Sequence, residues 1–390
     1  MNNILLLIGI AMAAGLLVSR AARAVKLPNV TAFLVAGLLI GPCVAGIISK
    51  EQAASMGVIS EAALGFIAYA IGGEFKLSYL KKIGKAPLTI TAFQGLTTAF
   101  CVDVGLIAFG VDVPLALLLG AIALATAPAA TLMVVRQYKA HGPVTQMLLP
   151  VVAMDDALGL MVFSISASVA QAMLGGAITV QSMVLSPIIE IVGSLVLGAA
   201  LGWVLAFGAR FFASRGNKLA LSIALVLAGV GLCDMLNLSS LLVCMMIGAV
   251  MVNMSQQHEV LMEQCDRFTP PLFLLFFVLS GADLDLSVLP SVGLIGVAYL
   301  LLRCIGKWGG TMLGAICVKA DDNIKKYLGL TLLPQAGVAI GMASLVSARF
   351  PTLGAQVNTI VLAGVLVFEL VGPIITKLAL TKAGEISATK

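Results

Sequence analysis

Two adjacent carboxylates, Asp155 and Asp156, stand in an otherwise apolar run, preceded by Val151-Val-Ala-Met and followed by Ala157-Leu-Gly-Leu-Met. An ionisable side chain inside a long apolar segment is costly and marks a functional site by default. Neighbours on a helix point about 100° apart, so one acid can face a cavity while the other faces a partner helix. Two carboxylates this close cannot both ionise cheaply without a cation. A group so placed holds either a proton or a metal cation, and that competition is the chemistry of ion exchange. A polar lock between helices is the other use of a buried acid, but such a lock rarely needs two in succession.

The buried cations are Arg303 and Lys307, one helical turn apart in another apolar run. A buried ammonium needs a counter-charge. Asp155 is its simplest partner, which leaves Asp156 for the ion. Arg303, always charged, needs another acid, and Glu369 in the middle of the last apolar run is the natural candidate. That second pair reads as architectural, because a guanidinium does not give up its proton. Glu61, Asp103, Asp234 and Glu190 lie towards the ends or outer halves of apolar runs and read as interface anchors or mouth-lining charges.

The elements that hold these residues are dictated by composition. Of 390 residues, 60% are hydrophobic and 11% charged, with a mean hydropathy of +1.10. A soluble domain carries about 25% charged residues, so lipid must cover much of this chain. The net charge of +5 is no nucleic-acid signal, because the basic residues sit in short connections between apolar runs. Seven scattered cysteines without CxxC spacing and two histidines argue against a disulfide framework or a metal centre. No cofactor is expected.

A spanning helix needs about 20 mainly apolar residues. Thirteen spans are predicted: 3–19, 30–48, 56–74, 87–109, 113–135, 146–173, 181–208, 218–235, 238–254, 270–282, 290–317, 324–347 and 356–377. The start of the chain lacks the positive leader of a secretory signal. With the N-terminus outside, 19 of the basic residues fall on the inside and only Lys50 and Arg349 outside. This agreement with the positive-inside rule supports the whole map and puts the C-terminus in the cytoplasm. The longest connection, about 254–269, is too short for an appended soluble domain.

The spans repeat. Gly72-Gly-Glu-Phe-Lys-Leu-Ser-Tyr-Leu80 resembles Gly281-Ala-Asp-Leu-Asp-Leu-Ser-Val-Leu289, and at the same offset Ala125-Thr-Ala-Pro128 falls on Pro334-Gln-Ala-Gly337. Repeat one is about 1–174, a linker helix covers about 181–208, and repeat two is about 218–377, within one transmembrane domain. An odd linker span inverts the second repeat. Inverted repeats are the architecture of many secondary transporters, whose sites form where paired discontinuous helices cross. Pro128 in one span, with Pro334, Gly337 and Gly341 in its counterpart, marks those breaks, which are tolerated where they line a cavity or are buried in protein.

The stretch Ala123-Leu-Ala-Thr-Ala-Pro-Ala-Ala-Thr-Leu-Met-Val-Val, with Pro150-Val-Val-Ala-Met-Asp-Asp-Ala-Leu-Gly-Leu, resembles the monovalent cation:proton antiporter superfamily. It is most similar to the branch of Kef-type and bacterial sodium/proton antiporters, as are Phe273 to Leu289 and the Arg-x-x-x-Lys-x-x-Gly opening at Arg303. The resemblance implies an all-α, thirteen-helix homodimer in the plasma membrane of a prokaryote, with a six-helix core carrying the site. It implies that Asp156 binds the cation and carries protons, that Asp155 pairs with Lys307, and that Thr126 lies beside them. The aspartate that some members place after this Thr is replaced by Ala127, which bears on coordination and selectivity. The nucleotide-binding domain of Kef-type channels is not expected here.

The expected activity is therefore secondary antiport of protons against sodium or potassium, by alternating access of a core bundle moving against the rest. A channel-like conduit is one alternative, but no filter loop of repeated carbonyl donors is visible. A membrane-embedded aspartyl enzyme is the other. Its two acids would normally face each other from separate backbones, whereas these are neighbours on one helix.

Overall fold

The computed structural model describes residues 3–24, 27–73, 75–77, 84–174, 185–284 and 292–386. These are helical, with no strand among them. In chain order the helices are α1 (Ile4–Ala24), α2 (Asn29–Ile40), α3 (Lys50–Ser55), α4 (Gly57–Gly72), α5 (Ala86–Ala108), α6 (Val113–Ala123), α7 (Pro128–Tyr138), α8 (Pro143–Met173) and α9 (Ser186–Gly208). They continue as α10 (Arg215–Leu236), α11 (Ser240–Met254), α12 (His258–Asp283), α13 (Gly293–Cys317), α14 (Asp322–Thr331), α15 (Gly337–Arg349) and α16 (Pro351–Lys382). Among the described residues, eight helical segments are long and apolar enough to cross a membrane, counting Val113–Tyr138 across its break, while α2, α4, α11 and Gly337–Ser347 are apolar but shorter. Length alone therefore does not reach thirteen.

Two sequence boundaries are corrected. The predicted span at 30–48 stops as a helix at Ile40, where Gly41 and Pro42 turn the chain. The predicted short span at 270–282 is the second half of the 26-residue α12, and the supposed connection before it is helical. Its first half carries Glu259, Glu263, Asp266 and Arg267, which hide a helix from a search for apolar runs, and Pro270 and Pro271 do not interrupt it.

The order of elements repeats. α5 to α8 and α13 to α16 follow one another at nearly constant spacing, so that Pro128 and Gly337, 209 residues apart, both open the second half of a broken helix. Half of the matched segments 72–80 and 281–289 lies outside the described residues, while Gly72 and Gly281 lie within them.

Contacts divide the chain into two units that cut across the repeats: Met1–Gly84 with Ile189–Asp283, and Lys85–Ile188 with Leu284–Lys390. In the first unit, α2 packs on α12 and α4 packs on α11 with backbones in close approach. A side chain at Gly281 would run into the Leu34 carbonyl, and one at Gly72 into that of Met245. Small residues permit such contacts between apolar helices, where water gives no drive to associate.

In the second unit α5 and α13 pack most intimately. Gly306, Gly310 and Gly314 form a one-per-turn stripe, and a Cβ on each would lie 2.7 Å from the Cα of Thr98, 2.8 Å from that of Gln94 and 2.9 Å from that of Ile90. Both breaks fall in this unit. Residues 124–127 separate α6 from α7, and 332–336 separate α14 from α15. Pro128 opens α7, where its missing N–H removes no helical bond. The unwound strands meet where the Ala127 N–H donates to the Pro334 carbonyl at 2.8 Å.

Candidate functional site

The site lies where α8 and α13 pass the first break. Leu124, Ala125, Thr126 and Ala127 are out of helix, so their main-chain groups and the Thr126 hydroxyl are free for other partners. Asp155, fully buried on α8, is held from three sides. Gln94 Nε2 donates to its Oδ1, the Thr126 hydroxyl donates to its Oδ2, and Lys307 Nζ approaches that same oxygen at 3.0 Å. The ammonium also donates to the Leu124 carbonyl at 2.5 Å and to Thr126 Oγ1 at 2.7 Å. All three Lys307 protons are thus used. A buried pair is tolerable only when its remaining donors and acceptors are satisfied, and this one meets that condition.

Asp156 differs in kind. It is 7% exposed, and its Oδ1 is buried without a hydrogen-bond partner among the described residues. The peptide step of about 100° between neighbours separates a saturated carboxylate from one that keeps an open valence. Such an oxygen is costly to bury without a partner.

Arg303, one turn before Lys307 on α13, is also fully buried. The sequence paired it with Glu369, but the structure directs the guanidinium to the main chain. It donates to the carbonyls of Ala123 at 2.9 Å, Ala125 at 2.9 Å and Leu333 at 2.7 Å. The Phe368 ring lies against its other side, 4.4 Å from centroid to guanidinium carbon. The carbonyls orphaned at the C-terminal ends of α6 and α14 carry partial negative charge, so a fixed cation there closes both half-helices at once. Glu369 itself is buried on α16.

Two residues of this site escaped the sequence reading. Gln94 carries no charge and drew no attention, yet it supplies a donor to Asp155. Gln335, in the second break, donates from Nε2 to the Ile122 carbonyl and to the Tyr299 hydroxyl, each at 3.1 Å. The 209-residue offset could have found both, since it sets Gln94 against Arg303 and Thr126 against Gln335. At the same offset Gly364 stands where Asp155 stands in the first repeat, and a Cβ there would lie 3.4 Å from Gln335 Oε1. The second crossing therefore keeps the scaffold of the first and lacks its acid.

The chain is similar to known proteins along nearly its whole length. The family model described as sodium/hydrogen exchanger, transmembrane, matches residues 8–382. The high-affinity Na(+)/H(+) antiporter NhaS3 of Synechocystis is 28% identical over 364 residues, covering 87% of this chain and 76% of that protein. The ammonium/H(+) antiporter subunit AmhT of Alkalihalophilus pseudofirmus is 24% identical over 362 residues, covering 90% and 89%. The sodium proton antiporter MjNhaP1 of Methanocaldococcus jannaschii, solved at pH 8, shares the fold with a TM-score of 0.75 at 20% identity, covering 99% of both chains.

Proposed function

Since the chain belongs to the sodium/hydrogen exchanger family, we propose that it carries a monovalent cation and protons alternately on one carboxylate, that of Asp156. It is a multi-pass membrane protein and a secondary transporter rather than an enzyme, and cation–proton antiport is its activity. The observation that carries the assignment is the contrast between the two acids. Asp155 is saturated by Gln94, Thr126 and Lys307, whereas Asp156 keeps a buried oxygen with no partner among the described residues.

In this reading a cation takes its place at Asp156 with oxygen ligands, and a proton replaces it there when the site faces the other side. Neither form leaves a bare carboxylate in a low-dielectric setting. Lys307 stands beside the site, so its pairing with Asp155 responds to the charge on Asp156. If the ammonium sheds a proton as the cation binds, each cycle moves net charge and the exchange follows an imposed voltage. Asp155, Thr126 and Gln94 hold the geometry, and Arg303 holds the ends of the two broken helices. Two further elements of the reading have separate grounds: a homodimer in a prokaryotic plasma membrane rests on the family resemblance, and an outside N-terminus on the distribution of basic residues.

The cargo is tested in proteoliposomes by proton flux, with sodium, potassium or ammonium supplied in turn and with or without a voltage. Asp156→Asn is expected to abolish exchange of every cation while the purified protein stays folded. Exchange that survives in that variant overturns the assignment. Uptake without proton counterflow in the unaltered protein would favour a conduit instead.

A further inference from the structure

The helix that carries Asp155 and Asp156 starts without a cap of its own. α8 begins after Gly142, which has no side chain to offer, and Pro143 in its first turn lacks an N–H. The first main-chain donors left over are Val144 and Thr145, because Gln146 already bonds back to the Gly142 carbonyl at 3.0 Å. Such orphan N–H groups are normally satisfied by a side chain just before the helix.

Here the partner comes from 240 residues away. Glu385 Oε1 accepts from the Val144 N–H at 2.6 Å, and Oε2 accepts from the Thr145 N–H at 2.8 Å and from the Thr145 hydroxyl at 2.6 Å. The His141 N–H donates to the Glu385 main-chain carbonyl at 3.0 Å. Gly142 is shaped to this contact, since a Cβ there would come within 2.5 Å of Glu385 Cγ, Cδ and Oε1. Glu385 is buried at this contact, only 5% exposed.

Glu385 is also presented by a built turn. α16 ends at Lys382, Gly384 takes a left-handed φ of +76°, the Gly384 N–H bonds to the Thr381 carbonyl at 3.1 Å, and the Glu385 N–H reaches the Leu380 carbonyl at 3.0 Å. That is the glycine-terminated end of a helix, in which the residue after the glycine is fixed in direction. Asn323 Nδ2 donates to the Ala383 carbonyl at 3.3 Å, so the start of α14, the first half of the second broken helix, joins the same knot.

We propose that Glu385 is a positioning residue for cation–proton exchange: it caps, from the far end of α16, the helix that carries the acid pair. The proposal rests on the assignment of Asp156 as the carrier. A negative charge held by two main-chain N–H groups at a helix N-terminus is a strong, directional anchor. It fixes where α8 starts, and through three helical turns it fixes where Asp155 and Asp156 stand against Thr126 and Lys307.

The test uses the full-length protein in proteoliposomes, with Glu385→Ala, Glu385→Gln, Thr145→Val and the Glu385→Ala/Thr145→Val pair. Glu385→Ala is expected to raise the apparent KM for the cation and to lower the maximal rate by about tenfold per folded molecule, less than the roughly hundredfold that a misplacement of about 1 Å can cost. Glu385→Gln, which keeps the length and one acceptor, recovers part of this. The pair is expected to be no worse than Glu385→Ala alone, because both changes break one unit. Unchanged KM and rate in Glu385→Ala, or a loss confined to melting temperature, overturns the positioning role. Asp156→Asn, run alongside, separates the two claims. Residual exchange there defeats the carrier assignment, whereas normal exchange in the Glu385 variants with a dead Asp156→Asn defeats only the anchor.

Discussion

Lys307 has no spare proton and Asp155 has no bare oxygen, so neither can be removed without stranding the other. Breaking a buried pair from one side costs about 3–5 kcal/mol, mostly from the charge left behind. Lys307→Met is therefore expected to lower the melting temperature of the detergent-purified protein sharply, and adding Asp155→Asn is expected to restore part of it. A double variant that melts below Lys307→Met would contradict the pairing. Much at this scale was legible in the sequence, because a charge among apolar residues is expensive and therefore conspicuous. Asp155, Asp156 and Lys307 were found that way. Gln94 was not, since an uncharged amide carries little penalty. The carbonyl partners of Arg303 were missed because a search for a counter-charge ignores carbonyls, and here the unwound ends of α6 and α14 supply three.

At the scale of elements, the breaks were readable because proline and glycine announce them, whereas the contact that sets the depth of Gln94 was not. That depth comes from the glycine stripe of α13 on α5, and a row of glycines in an apolar run does not declare its partner helix. Gly310→Ala would press a methyl to 2.8 Å from the Gln94 Cα and the Phe93 carbonyl, both main chain, which cannot swing away. Such overpacking costs about 1–3 kcal/mol. Gly309, on the same helix, has nothing within 4 Å of its Cβ position. Gly309→Ala is expected to stay within about 0.5 kcal/mol of the parent, as open positions do. Melting curves of the two variants check this, and equal melting points would show that the stripe bears no stress. The tenth span was misjudged for a related reason. Hydropathy sees only the half of α12 that faces an apolar environment, while the charged first half needs hydrogen-bonding pattern to be seen as helix.

At the scale of the whole chain, every residue assigned to ion chemistry falls in the unit formed by Lys85–Ile188 and Leu284–Lys390. The other unit is built on its own close helix contacts, at Gly72 against α11 and at Gly281 against α2. Gly72→Ala and Gly281→Ala are accordingly expected to reduce the yield and melting temperature of the protein, while the molecules that survive keep the parental cation KM in vesicles. A changed KM in either would tie that unit to the ion. The duplicated order of helices could be read from two short sequence matches, but the partition into units could not, because it joins the first part of one repeat to the first part of the other. The mismatch between the two crossings has a kinetic meaning. Where the first repeat has Thr126 and Asp155, the second has Gln335 and Gly364, so the ancestral symmetry survives in the scaffold and has been erased in the load. A twofold machine with a single berth should not show cooperativity within one chain. Initial rates plotted against cation concentration should trace one simple hyperbola, with a Hill coefficient near one.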